Sequence, residues 1–126
     1  MAGEGVVVGL KTHKDLEVWK KSIVLAEVVY EITRKFPKDE LYGLVSQIRR
    51  AAVSVPSNIA EGAARATIKE FVQFLYISRG SLSELETQII LSKKFGYIEQ
   101  NEEVLELIVE IRKMLWGLIR YYNDKK

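Results

Sequence analysis

The residues of this 126-residue chain that could carry chemistry are carboxylates and arginines, because the usual nucleophiles and metal ligands are nearly missing. There is no cysteine, which removes disulfides, thiolate nucleophiles, Cys-based zinc sites and iron–sulfur clusters. The one histidine, His13, stands outside the helical pattern, and a metal site needs three or four ligands. Carboxylate-bridged di-metal bundles require Glu-x-x-His motifs on two helices, and no predicted helix holds a histidine. Glu61, Glu84 and Glu86 could pair as acid and base, yet no nucleophile or partner motif accompanies them. The glycines form no G-x-x-x-x-G-K-[ST] phosphate loop, and Ser54 and Ser57 read as close-packing residues. The expectation is therefore a protein that is not an enzyme and holds no metal and no cofactor.

Arg49 and Arg50 are more telling, as the only charges between Leu41 and Ala60. On a helical wheel Arg50 points away from the core with Ser57 and Glu61, while Arg49 flanks the core and can reach a neighbouring helix. Two uses fit that placement. One is an ion pair or bridge to Glu61, Glu84 or Glu86. The other is a contact to phosphate, which the planar guanidinium suits. Arg65, Lys69 and Arg79 would extend such a surface, so Arg49, Arg50, Arg65 and Arg79 are the candidate nucleic-acid contacts. Nineteen Lys plus Arg against seventeen Asp plus Glu leave only +2, which permits a polyanionic partner without demanding one.

The elements that must position these residues are helices. Residues 1–14 have glycines around Val6–Val8 and no period, and read as a flexible leader; residues 15–124 read as one bundle domain. From Asp15 to Phe36 one stripe holds Leu16, Trp19, Ile23 and Tyr30, and a nearly opposite one holds Leu25, Val28, Val29, Ile32 and Phe36. Pro37 ends this helix. Asp39 is placed to cap a second helix with a core face of Leu41, Leu44, Ile48, Ala52, Val55 and Ile59. Pro56 predicts a kink there and Gly62 its exit. Thr67 and Glu70 form a capping box for a third helix starting at Ile68, whose face is Phe71, Phe74, Leu75, Ser78, Leu82, Leu85 and Ile89. Gly96 is its stop. Asn101 caps a fourth, with Val104, Ile108, Ile111, Leu115, Leu118 and Tyr122 inward.

Four such helices joined by short connections predict an all-α, up-down-up-down four-helix bundle with its second helix kinked at Pro56. Leu105, Val109 and Trp116 on the fourth helix, and Leu25, Val29 and Ile32 on the first, form second apolar stripes that a single bundle would leave wet. They are the candidate oligomer interface. Hydrophobic residues at 48% and charged residues at 29% fit a soluble globular chain. With no run near the ~20 apolar residues of a membrane span and no signal peptide, the expectation is a cytoplasmic protein with no membrane contact.

The segment from Tyr42 to Gly62, YGLVSQIRRAAVSVPSNIAEG, carries a family likeness, supported by Leu16–Lys20 and by the stretch from Glu70 to Gln88. Over roughly residues 15 to 122 the chain resembles the bacterial four-helix-bundle proteins whose genes often lie in intervening sequences of large-subunit ribosomal RNA genes. That resemblance implies a ring, a homopentamer, with no enzymatic activity assigned. The family is also similar to the accessory variability determinant of diversity-generating retroelements, a basic pentameric barrel that associates with a reverse transcriptase and nucleic acid. A charge of +2 departs from a strongly basic barrel. Arginine placement and the likeness together lead to the expectation of a homo-oligomer that binds structured RNA or DNA or a ribonucleoprotein, with a reverse transcriptase as partner by analogy with that relative. The alternative is a protein-interaction scaffold whose arginines bridge subunits.

Overall fold

Caps and breakers set the helix ends. The computed structural model describes residues 13–124, so residues 1–12 of the expected leader lie outside the described residues. A single 3-10 turn at His13–Asp15 leads into α1, Glu17–Thr33. The helix stops before the predicted Phe36. Proline disfavours helical geometry in the residue before it, and the amides of Lys35 and Phe36 turn back onto the carbonyls of Ile32 and Thr33.

The second helix starts later than expected. Asp39 lies in a 3-10 turn, Lys38–Glu40, and α2 spans Leu44–Ala63 with Gly43 as its N-cap. Glu40 replaces Asp39 in the capping role, accepting the Leu44 amide on Oε1 at 3.2 Å. Leu41 is thereby placed outside the helix and is exposed. Pro56 sits buried within an unbroken α2. Gly62 lies inside the helix, and its role is packing: a Cβ there would stand 2.6 Å from the Cβ of Phe74 and 3.1 Å from the Phe71 ring. Only a residue without a side chain lets α2 approach the next helix so closely.

Helix α3, Ile68–Lys94, opens as predicted, with Thr67 Oγ1 accepting the Glu70 amide. Its end is marked by Gly96 at φ +83°, the left-handed conformation glycine adopts without strain. Asn101 is the N-cap residue of α4, Glu102–Asn123, but its side chain bonds no backbone amide there.

Each helix lies beside two others, α1 by α2 and α4, and α3 by α2 and α4, with no close backbone approach across either diagonal among the described residues. Partner residues descend along one helix as they rise along the next. Arg50 meets Glu84, Ser54 meets Ser81, Val55 meets Ser78 and Gly62 meets Phe71. Arg112 meets Glu86 and Tyr122 meets Phe71. So α2, α3 and α4 run antiparallel to one another in turn, in a four-helix bundle.

The core lies between the four helices and includes Ile48, Ile59, Phe71, Leu82, Leu85, Ile108 and Leu115, all wholly buried. In α1 the core stripe is Val18, Ser22, Leu25, Val29 and Thr33, extended beyond the helix end by Phe36. This corrects one expectation: Leu25 and Val29 are 0% exposed inside a single bundle and cannot form a subunit surface. Ile23 and Tyr30, expected in the opposing stripe, are the exposed ones. In α4 Ile119 takes the fully buried place expected of Leu118, which is half-buried.

Candidate interaction surfaces

The four candidate arginines do not converge. Arg49 lies between α1 and α2, where its Nε donates to Thr33 Oγ1 at 2.9 Å and its guanidinium stacks 4.4 Å from the Tyr30 ring centre. Thr33 is itself anchored, donating to the Val29 carbonyl at 2.8 Å. Arg50, the next residue, is turned by about 100° of helix toward α3, where it donates to Glu84 at 2.8 Å and to Gln47 at 3.0 Å. Arg65 stands at the far end of α2, paired with Glu61 at 2.7 Å and over the Phe74 ring. Arg79, on α3, lies over Tyr76 and 5.8 Å from the Trp116 ring centre, on the α4 side.

Three of the four thus have a polar partner within the chain, and the bridges of Arg49 and Arg50 tie α2 to its two neighbours. Among the described residues Arg79 has only aromatic partners. A fifth arginine that sequence reasoning passed over, Arg112, joins α4 to α3 through Glu86 at 2.7 Å, with both side chains about one-third exposed. The signal was available: Glu86 is one of the carboxylates set aside as a weak catalytic candidate. No group of three or more His, Cys, Asp or Glu side chains is placed to hold a metal among the described residues.

The exposed apolar residues are arranged more tellingly than the arginines. One cleft between α1 and α2 is lined by Tyr30, Leu41, Tyr42, Val53, Arg49 and Arg50. Tyr42 is 93% exposed there, an aromatic ring placed almost entirely in water. On the other side of the bundle, the outer surface of α4 carries Leu105 and Val109 among Glu102, Glu106, Glu110 and Lys113. That strip continues through Arg112 to Trp116, which is 46% exposed beside Arg79. Of the residues expected at an interface, Leu105 and Ile32 are half-buried against the core, while Val109 and Trp116 stand free of it.

The α2–α3 seam is different in kind. Ser54 and Ser81 share a hydrogen bond at 2.8 Å, Asn58 bonds Ser54 twice, and buried Ser78 donates to the Val55 carbonyl. The serines do pack closely, as expected of Ser54, while Ser57 is exposed.

Fold and surfaces together define an all-helical, four-helix-bundle protein with helix-bridging arginines and apolar groups on two sides. The chain belongs to the 23S rRNA-intervening sequence protein family, whose model matches residues 14–117. It is similar to a crystal structure from Bacteroides thetaiotaomicron described as a protein with unknown function from the S23 ribosomal protein family. The two share 25% sequence identity at a TM-score of 0.75, over 82% of this chain and 95% of that one. No curated protein matches the sequence. No helix among the described residues is long and apolar enough to cross a membrane.

Proposed function

We propose that this protein is a non-enzymatic building block that assembles with copies of itself, a homopentameric ring by its family resemblance, and serves as a scaffold. The observation that carries this is the exposure of apolar side chains on two sides of a bundle whose core is already complete. Tyr42, Val53, Val109 and Trp116 contribute little to the core, and isolated monomers rarely expose such groups in contiguous patches. Arg49, Arg50 and Arg65 serve the scaffold from within, bridging helices of one subunit or stiffening one helix end, where the sequence left open a bridge between subunits. Sedimentation velocity of the wild-type protein should show one species of several times 14.4 kDa. A monomer at 100 µM would overturn the reading.

A second reading, RNA or ribonucleoprotein binding, is favoured by Arg79. It has no carboxylate partner among the described residues, two aromatic neighbours able to stack with bases, and Arg112 and Lys113 in the same cleft. Mobility shifts with a structured RNA hairpin at low salt test it. Binding should fall steeply as salt rises and weaken on Arg79→Ala. A wild type that shifts no RNA ends this reading and leaves the scaffold untouched.

A further inference from the structure

The two apolar surfaces differ in charge and stand at the same height on the bundle. Arg50 pairs with Glu84 and Arg112 with Glu86, so the middle of α2's N-terminal half and the middle of α4 are levelled against α3 within two residues. The α1–α2 cleft, with Tyr30, Leu41, Tyr42 and Val53, is therefore level with the α4 strip of Leu105 and Val109. The square packing sets the cleft on the α1–α2 face and the strip on the outer corner of α4, on different and mutually inclined sides of the molecule. The cleft holds Arg49, whose partners are a hydroxyl and a ring and which leaves its charge uncompensated by any carboxylate among the described residues. The strip holds Glu102, Glu106 and Lys113, none with an ion-pair partner among the described residues, while Glu110 is paired with Lys21, so one negative charge is left over. One surface is apolar with surplus positive charge, and the other is apolar with surplus negative charge.

We infer that the occupant of each surface is a second copy of this chain, docked head to tail: the α4 strip of one subunit enters the α1–α2 cleft of the next. The inference rests on the self-association proposed above and adds which faces meet. A two-fold dimer would lay like charge against like, arginine cleft on arginine cleft or glutamate strip on glutamate strip. The head-to-tail contact pairs opposite charges and buries both apolar surfaces. Because the surfaces are level and inclined to one another, repeating the contact turns successive subunits about an axis along the helices, the geometry from which a ring can close. Tyr42 is the natural anchor, an aromatic side chain with little to lose inside its own subunit.

Two substitutions on exposed residues test this, with helicity and melting temperature confirming that each variant folds. Tyr42→Glu sets a carboxylate against the glutamate strip, and Val109→Arg sets a cation against the arginine cleft. Each alone should sediment at least two- to threefold lighter than wild type. Mixed in equal amounts they should recover at least a dimer, since the first keeps an intact strip and the second an intact cleft. If only one substitution lowers the mass, the interface is two-fold or lies elsewhere, and the inference fails. It fails equally if neither lowers the mass, or if both do and mixing restores nothing. The mass of the wild type decides self-association separately, so failure of the docking geometry leaves that reading standing.

Discussion

The α2–α3 seam and the α4–α1 seam close the same bundle by opposite means. At the first, two helices come so close that Gly62 leaves no room for a methyl group, and hydroxyls of Ser54, Ser78 and Ser81 fill what remains. At the second, Lys21 and Glu110 form an exposed ion pair across half-buried aliphatics such as Val28 and Ile32. Close packing of small residues is short-ranged and intolerant of added volume, whereas a surface ion pair is weak and forgiving. One seam therefore fixes the geometry of the fold while the other completes its enclosure.

The sharpest way to break this comparison is to add one methyl group. Gly62→Ala forces a Cβ onto Phe74 at 2.6 Å, against helix backbone and ring positions that cannot swing away. Overpacking of this kind costs about 1–3 kcal/mol, more than the ~1 kcal/mol that alanine returns in helix propensity. Gly117→Ala, on α4 with open space around it, should instead gain about 0.5–1 kcal/mol. Urea unfolding of the two variants measures both. If Gly62→Ala is stabilised like Gly117→Ala, the seam is looser than described.

Much of this contrast was legible in the residues, and the part that was not has identifiable causes. The capping box at Thr67, the stop at Gly96 and most of the inward faces of α3 and α4, Leu118 excepted, follow from local rules that tertiary packing did not override. The core face of α1 was missed because Ser22 and Thr33 interrupt it. Both hydroxyls are satisfied locally, on the Trp19 and Val29 carbonyls, so polar residues sit in the core at no loss of hydrogen bonding. Periodicity scores side chains by polarity and could not see that bond. It therefore gave Leu25 and Val29 to a subunit interface. Glu84 was legible as a partner of Arg50, whereas Glu61 pairs with Arg65 and Arg49 with a hydroxyl, and the separation of Arg49 from Arg50 onto different seams depends on which neighbour packs on which side. Gly62 looked like a helix end for the same reason: its constraint comes from Phe71 and Phe74 on another helix.

A smaller effect separates the hydroxyls from the ion pair. Ser78→Ala removes a buried donor from the Val55 carbonyl at 2.9 Å and should cost about 1 kcal/mol. Lys21→Ala removes an exposed partner of Glu110 and should cost no more than about 0.5 kcal/mol, less still at high salt. Equilibrium unfolding at low and high salt compares them. A Lys21→Ala cost above that of Ser78→Ala would reverse the roles assigned to the two seams.

The least forceful test concerns the end of the molecule where α1 and the α3–α4 connection meet. Tyr97 on that connection donates to Glu40 at 2.9 Å and packs on Phe36 at 5.4 Å, so it adds to the α4–α1 side a fixed contact that the Lys21 pair does not supply. Its phenol is held above the usual tyrosine value, first by the hydrogen bond to Glu40, then by burial and the negative charges of Glu40 and Asp39. A raised pKa means that the folded state holds the proton more tightly than the unfolded state. The stabilisation is therefore complete below about pH 10, the unfolded tyrosine value, and is lost as pH rises from there through the folded pKa. Tyr97→Phe keeps the ring and deletes the bond. The stability difference between wild type and Tyr97→Phe should stay constant from pH 7 to about 9.5 and shrink above it; Tyr122, whose pKa burial also raises, is common to both proteins and cancels. Equal stability of the two proteins across the whole range would show that Tyr97 holds this end by its ring alone, leaving the α4–α1 seam without a polar tie there.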